Sequence, residues 1–325
     1  MTILVTGGAG YIGGNMAFAL LDAGREVVVL DDLSKGVREA VPPEASFVQG
    51  DVGDQGLVRK LIAERAVEAV LHFAGSIVVP ESVRRPLDYY DNNTVRTRAL
   101  IAACVEAGVK HFIFSSTAAV YGTPTTTPTP EDAPLAPISP YGASKAMSER
   151  MLVDAAAAHR LGYAVLRYFN VAGADLAGRA GQRGAGGTHL IKVAAETAAG
   201  RRPELVVFGA DYPTRDGTAI RDYIHVTDLA EAHLAALAHL ESGGANLIAN
   251  CGYGHGYTVR EVLSAVEAEL GRPLPVREGP RRAGDPAELV ADVGRIGREL
   301  GWRPRRDDLR LIVRTALDFE ARTPL

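Results

Sequence analysis

Cysteine is nearly absent. The 325 residues hold two, Cys104 and Cys251, far apart and outside any CxxC spacing. That excludes a disulfide framework and a thiolate metal site and leaves both as small buried hydrophobes. The eight histidines are dispersed with no HExxH spacing, so no metal site is expected. No apolar run approaches the ~18 residues that span a bilayer, and residues 1–5 run straight into strand-forming sequence without a basic leader. The expectation is a cytoplasmic protein. An excess of one charge is also missing: 35 Lys and Arg stand against 39 Asp and Glu, net −4, and the basic residues are scattered. Neither nucleic acid nor a membrane surface is therefore an expected partner, whereas a small molecule is. No internal repeat or low-complexity tract is present.

Apolar residues are plentiful, at 47% of the chain, enough for a large core divided into two lobes around one cleft. Residues 2–5 read as a short buried strand. Thr6-Gly7-Gly8-Ala9-Gly10-Tyr11-Ile12-Gly13 follows, and then a helical pattern through Met16, Leu20 and Leu21 to Gly24. Glycines let a backbone turn tightly and approach a pyrophosphate, whose charge sits among the free N–H groups of a helix N-terminus. A second strand, 27–30, ends in Asp31 at the spacing of a ribose-binding acid. Its carboxylate would accept bonds from both ribose hydroxyls and repel a 2′-phosphate, favouring NAD over NADP. The competing reading of Asp31 is a turn or cap residue.

Strands at 46–48, 69–73, 111–115 and 163–168 alternate with helices at 57–65, 86–108 and from 141 onward, which predicts an α/β fold with a doubly wound parallel sheet of Rossmann type. Asp51 and Phe73-Ala74-Gly75 follow strand ends, where ligands collect. Asn92, early in the 86–108 helix, could face the cofactor. The proline- and threonine-rich stretch 123–140 predicts an irregular loop lying over a cleft. Regular alternation stops near 170, where a smaller C-terminal α/β lobe is expected, with glycine-rich, flexible residues 177–187, a helix at 188–200 and a strand at 205–208. Thr227 is the expected N-cap of a helix to residue 240, and Thr258 opens another. Arg221 and the 281–285 run RRAGD offer fork-shaped donors for a diphosphate. A solvated surface role is the alternative for each arginine.

The chemistry is expected at Ser139-Pro140-Tyr141-Gly142-Ala143-Ser144-Lys145. Residues i and i+4 share a helix face, so the Lys145 ammonium should favour the Tyr141 phenolate and lower a pKa normally near 10. A tyrosine so tuned can take a proton from an alcohol and return it. Thr117, just past the 111–115 strand, can offer a hydroxyl beside it. A bare YxxxK is common by chance and Pro140 suits any helix start, so the motif gains its weight from the cofactor-binding units upstream.

The segments TGGAGYIG (6–13), DNN (91–93), SSTAAVYG (115–122), SPYGASK (139–145), RYFNVAGAD (167–175) and RDYIHVTDLA (221–230), in this order, resemble the extended short-chain dehydrogenases. More narrowly they are similar to the UDP-glucose 4-epimerase family within them, a likeness that continues into RRAGDPAELVAD (281–292) and LGW (300–302). The resemblance implies a NAD-binding Rossmann domain over 1–169 and a UDP-sugar domain over 170–325, the chain crossing back to the first around 220–240. It implies that Tyr141 is the acid-base residue, that Lys145 lowers its pKa and binds the nicotinamide ribose, and that Thr117 bonds the sugar 4-hydroxyl. NAD contacts would fall on Gly7, Gly10, Tyr11, Ile12, Gly13, Asp31, Asp32, Asp51, Val52, Phe73, Ala74, Gly75, Asn92, Ser115 and Tyr168, besides Tyr141 and Lys145. UDP-sugar contacts would fall on Asn170, His189, Leu190, Val206, Phe208, Arg221, Arg282 and Asp285. Leu289 would stand as a gate over the sugar's C2 substituent.

The implied reaction is C4 epimerisation of UDP-glucose and UDP-galactose through a 4-keto sugar, with NAD tightly held. A homodimer through the helices at 86–108 and 141–161 is also implied, Met147, Met151 and Leu152 lying near one helical face. Departures exist: Ile77 replaces a cofactor-contacting lysine, Gly14-Asn15 a Ser-His pair, and His189 an asparagine. Epimerases preferring UDP-pentoses or UDP-N-acetylhexosamines are the near alternatives. A 4,6-dehydratase is disfavoured because Ala118-Ala119 stand where that family places Asp-Glu. A non-catalytic NAD sensor would have no need of Tyr141, Lys145 and Thr117 together.

Overall fold

Strand 2–6 is apolar on both faces because it lies at the centre of the molecule. In the computed structural model, which describes residues 1–184, 187–282 and 285–323, it belongs to a sheet of seven parallel strands. These are β1 (Thr2–Thr6), β2 (Glu26–Asp31), β3 (Ser46–Gln49), β4 (Val67–His72), β5 (His111–Thr117), β6 (Gly162–Tyr168) and a last strand, Leu247–Cys251. Their spatial order is β3-β2-β1-β4-β5-β6 and then Leu247–Cys251. Side chains alternate across the sheet: Ile3 and Val5 join a core with Met16 and Leu20, whereas Leu4 joins one with Val28, Leu100 and Phe112 on the other face. With both faces covered, the strands read as apolar runs, as parallel sheets require.

The order reverses at β1, which pairs with β2 on one side and β4 on the other. Connections leave in opposite directions there and open a crevice at the carboxyl ends. Helix α1 (Tyr11–Asp22) starts at that crevice. Helix Val226–Glu241 lies beside α1, and Leu247–Cys251, which follows it, pairs with β6. The remaining C-terminal residues form small sheets, among them Tyr257–Thr258, Ile220–Arg221 and Glu288–Leu289 in a three-stranded one and Leu205–Phe208 paired with Val276–Gly279. Helices Leu190–Ala198, Val259–Leu270, Gly294–Leu300 and Leu309–Arg322 accompany them.

Several local expectations change. The 86–108 helix is three pieces, Pro86–Tyr89, a π-helical turn Tyr90–Val95, and Arg96–Glu106. Such turns are single-turn insertions often found at functional sites. Thr227 is not the N-cap: the helix starts at Val226, and the His225 imidazole accepts the Thr227 N–H at 3.1 Å. Thr258 does cap its helix, in a reciprocal pair with Glu261. Met147 is exposed while Leu152 is fully buried, because five residues along a helix turn the side chain to a different face. Ala185, Gly186, Ala283, Gly284, Pro324 and Leu325 lie outside the described residues, and with them part of the 177–187 and 281–285 stretches. No helix among the described residues is long and apolar enough to cross a membrane.

Candidate active site

The turn after β1 is possible only with glycine. Gly7 has φ +72°, and a Cβ there would lie 2.4 Å from the Ala74 backbone nitrogen, so the loops after β1 and β4 touch. A Cβ on Gly13 would lie 2.2 Å from the Gly7 carbonyl oxygen, which lets α1 begin directly on the turn. Gly10 precedes α1 and supplies no side-chain cap. The first N–H groups of a helix lack internal partners, and with the helix dipole they make an anion site at the crevice. Gly14 follows from the same crowding, since a Cβ would meet the Ala40 carbonyl at 2.8 Å, and Asn15 donates to the Tyr11 carbonyl at 2.8 Å.

Asp31 ends β2 and is buried; its two oxygens accept the Ala9 and Leu33 N–H groups, both at 2.9 Å. Burial still pushes its carboxyl up. Asp32 turns away and accepts from the Ser34 N–H and hydroxyl. Asp51 accepts the Gly53 N–H and pairs with Arg96 at 2.7 Å, and Arg96 also reaches Asp91. Val52 is buried beside it, and Ile12 packs on the core. The uncapped helix N-terminus, the glycine cradle and the carboxylate at the end of β2 fit a dinucleotide. Ile77 is half exposed.

Across the crevice, helix Pro140–Ala158 starts where the Ser139 hydroxyl accepts the Gly142 N–H at 3.2 Å, with Pro140 in its first position. Tyr141 and Lys145 are both buried. The Lys145 ammonium donates to the Ser115 carbonyl at 3.0 Å and lies 4.8 Å from the centre of the Phe114 ring. A Cβ on Gly75 would lie 3.6 Å from Lys145 Nζ, so the lysine faces the loop after β4. Burial pushes Lys145 down to about 8, against the Glu149 carboxylate, which raises it. The Tyr141 phenol is pushed up by burial, against the Thr117 hydroxyl, which lowers it. The Lys145 ammonium is turned to the Ser115 carbonyl, and the hydroxyl set beside the phenol is that of Thr117.

Thr117 ends β5, and its hydroxyl accepts the Ala119 N–H at 3.1 Å. The Ser115 and Tyr168 hydroxyls bond each other, and Phe73 and Tyr168 flank His233 at 5.0 and 6.1 Å between ring centres. Asn92 donates to the Ser76 hydroxyl at 3.0 Å. Asn93 is the more deeply set of the two: it accepts the Ser76 N–H and donates to the Ser76 carbonyl and the Ser144 hydroxyl.

On the C-terminal side, Tyr11, Asn170, His189 and Leu190 line one pocket, closed where the Tyr11 hydroxyl donates to the Gly173 carbonyl at 2.6 Å. His189 precedes helix Leu190–Ala198 and accepts from the Gln182 amide at 3.1 Å, and burial pushes its imidazole down. Arg221 pairs with Asp285, and the Arg282 guanidinium stacks 4.0 Å over the Phe208 ring, with Val206 on the same strand. Leu289 pairs in register with Arg221 and packs with Ala118, Val120, Tyr121 and Phe169, next to Thr117. No hydrogen bond among the described residues joins His189 to Arg221 or Arg282, so the candidate sugar-nucleotide residues form two groups.

The buried Glu149–Arg167 pair and Asn250 join the site without a motif of their own. Glu149 could have been found by its spacing, four residues beyond Lys145. Asn250 could not, for its partners Thr129, Tyr121 and Glu131 are more than a hundred residues away in sequence.

A glycine turn feeding an uncapped helix at the switch point, with a buried Tyr–Lys pair across the same crevice, defines a dinucleotide-dependent α/β protein equipped for proton transfer. The profile of the NAD dependent epimerase/dehydratase family matches residues 3–252, and the chain belongs to that family. It is 57% identical over 318 residues to the UDP-glucose 4-epimerase of Azospirillum brasilense, covering 98% of this chain and 91% of that protein. Its fold is similar to that of the UDP-glucose 4-epimerase from Brucella ovis in complex with NAD, at 45% identity and TM-score 0.96 over 98% of each chain. It is also similar to the UDP-Glc/GlcNAc 4-epimerase from Campylobacter jejuni, at 48% identity and TM-score 0.87 over 99% of each chain.

Proposed function

We propose that the protein interconverts UDP-glucose and UDP-galactose by inversion at C4 through a 4-keto sugar, with NAD retained throughout. The observation that carries this reading is the meeting of Tyr141, Lys145 and Thr117 at the carboxyl end of β5, across from the glycine turn. NAD would be held by the α1 N-terminus, by Asp31 on a ribose and by Lys145 on the nicotinamide ribose. When bound, it supplies the two-electron acceptor that removes hydrogen from C4 and returns it. Tyr141 takes the 4-hydroxyl proton at its phenolic oxygen and gives it back on the return step. Thr117 orients that hydroxyl, and the buried walls keep water from the ketone. Asn170, His189 and Leu190, with Arg221, Arg282 and Phe208, hold the nucleotide diphosphate, leaving the sugar free to turn.

Residues 1–169 serve the cofactor and 170–325 the substrate, and the packing of Val226–Glu241 on α1 supports a return of the chain to the first lobe. The exposed apolar Val83, Leu87, Val95 and Met147 lie on helices that neighbour one another, which supports a homodimer. A cytoplasmic location suits its small-molecule substrate. Leu289 favours a second, minor activity: it is shorter than tyrosine and bulkier than serine, so UDP-N-acetylhexosamines are converted slowly, in keeping with the likeness to the Campylobacter jejuni enzyme. The test is incubation of the purified protein with UDP-galactose, UDP-N-acetylgalactosamine and UDP-pentoses, with identification of the products. Rapid conversion of a pentose alone, or release of a 4-keto-6-deoxy sugar, would overturn the assignment.

A further inference from the structure

The helix that carries Tyr141 and Lys145 presents a third buried polar residue to the same strand end. Residues 141, 145 and 149 lie one turn apart and share a face. The first has the Thr117 hydroxyl beside it, the second donates to the Ser115 carbonyl, and the third, Glu149, accepts from the Ser116 hydroxyl. Three consecutive residues of β5 are thus held by three consecutive turns of one helix. Ser116 points to the opposite sheet face from Ser115 and Thr117, so Glu149 grips the strand without competing for the Ser115 hydroxyl that Tyr168 engages.

Glu149 is 2% exposed, and its carboxylate takes Arg167 side on, Nε at 3.0 and 3.1 Å and a terminal nitrogen at 2.6 Å. Arg167 stands opposite Ser116 in the β5–β6 register. Its other terminal nitrogen donates to the Tyr121 hydroxyl and the Glu131 carbonyl, each at 3.0 Å. An ion pair buried this deeply is often no more stabilising than an apolar pair of the same volume, so stability alone does not account for it. Around Lys145 stand Tyr141 and Glu149 on its own helix and His72 on β4, which burial keeps neutral; Arg167 on β6 is held by Glu149, and Tyr168 on β6 and Tyr89 lie by Tyr141. Among these only Glu149 is an anion.

We propose that Glu149 is a positioning residue for the reaction, locking Ser115, Ser116 and Thr117 to the Tyr141–Lys145 helix and keeping a negative charge one turn from the lysine. The assay rests on the epimerase reading; the mechanism of positioning does not. Burial pushes Lys145 down to about 8, so turnover and NADH binding should both decline on the alkaline side of that value. Removing the carboxylate charge should move that decline lower by about one pH unit.

The experiment measures kcat for UDP-galactose on the protein as purified and, separately, NADH affinity by fluorescence once the bound NAD has been exchanged out, each against pH, for wild type, Glu149→Gln, Glu149→Asp and Ser116→Ala. In Glu149→Gln, kcat should fall about tenfold and both alkaline declines should shift lower. Glu149→Asp keeps the charge but shortens the reach, so kcat should fall with the declines unmoved. Ser116→Ala, the variant least able to disturb folding, should lose kcat several-fold with KM unchanged. Loss of thermal stability in Glu149→Gln and Glu149→Asp with neither pH profile displaced would mean a merely structural residue and overturn the proposal, as would wild-type kcat in Ser116→Ala. An inactive wild type whose NADH profile still shifts in Glu149→Gln would remove the epimerase reading and leave the role of Glu149 standing.

Discussion

Tyr141 differs from phenylalanine by one oxygen, and that oxygen carries the proposed proton transfer. The ring itself packs edge-on to Tyr89 at 6.5 Å between centres, a contact that phenylalanine keeps. Tyr141→Phe should therefore fold and hold NAD, yet lose activity by about 10²-fold or more; turnover near wild type would remove Tyr141 from the mechanism. Leu289 is the residue on which substrate choice turns. A methylene-scale change in a pocket is worth about 1–3 kcal/mol, so Leu289→Ser should raise N-acetylhexosamine turnover by about tenfold relative to UDP-galactose, and Leu289→Tyr should abolish it. An unchanged ratio of the two activities in both variants would show that Leu289 does not gate the sugar.

At the scale of elements, the glycine turn is the least tolerant part of the fold. An alanine methyl at Gly13 would overlap the Gly7 carbonyl, and both contacting groups are backbone, so no side chain can swing aside. Gly13→Ala should displace α1 from the turn and leave the purified protein without NAD, as read by cofactor released on denaturation; a full complement of NAD would contradict the site. The loop 123–140 is anchored rather than free. The Thr129 N–H donates to the Val290 carbonyl at 2.8 Å and the Asp292 N–H to the Thr129 carbonyl at 2.9 Å, so the loop is tied to the segment that carries Leu289.

The βα alternation, the glycine turn and the Tyr–Lys helix were legible in the sequence because each depends on neighbours within a turn or a strand. The anchoring of Thr129, the His225 cap and the Glu149–Arg167 pair were not, because each joins polar groups whose partners are fixed only once the sheet has formed. The π-helical turn at 90–95 has the same origin: it keeps Asn93 on Ser76 and Ser144, a demand no helical periodicity displays.

Among the described residues, His72, His225 and His233 are the most deeply buried imidazoles. Desolvation holds His72 down to about 3 and His225 and His233 down to about 4, against an ordinary 6.5. Folded-state values below the unfolded one mean that the unfolded chain binds more protons, so this stability is full above pH 6.5 and is lost as pH falls through about 4. Asp222, pushed up to about 6 by burial, and Asp31, which burial also pushes up, act in the opposite sense, against these three imidazoles and the lowered His189. The melting temperature should fall steeply from pH 6.5 to 4 and less so in His233→Gln; a flat profile would contradict the account. Association should show at the same scale: Leu87→Glu, on the exposed apolar surface, should convert a dimer into a monomer by light scattering, whereas a wild type already monomeric at micromolar concentration would refute the proposed interface.

The central claim is that hydrogen leaves C4 and returns to it within one closed site. UDP-galactose carrying deuterium at C4, incubated with purified protein and no added cofactor, tests it most directly. Return of the hydrogen within the site should give UDP-glucose that keeps its deuterium at C4, with NAD still bound to the protein. Deuterium lost to water, or turnover that requires stoichiometric added NAD and releases a free keto sugar, would contradict it.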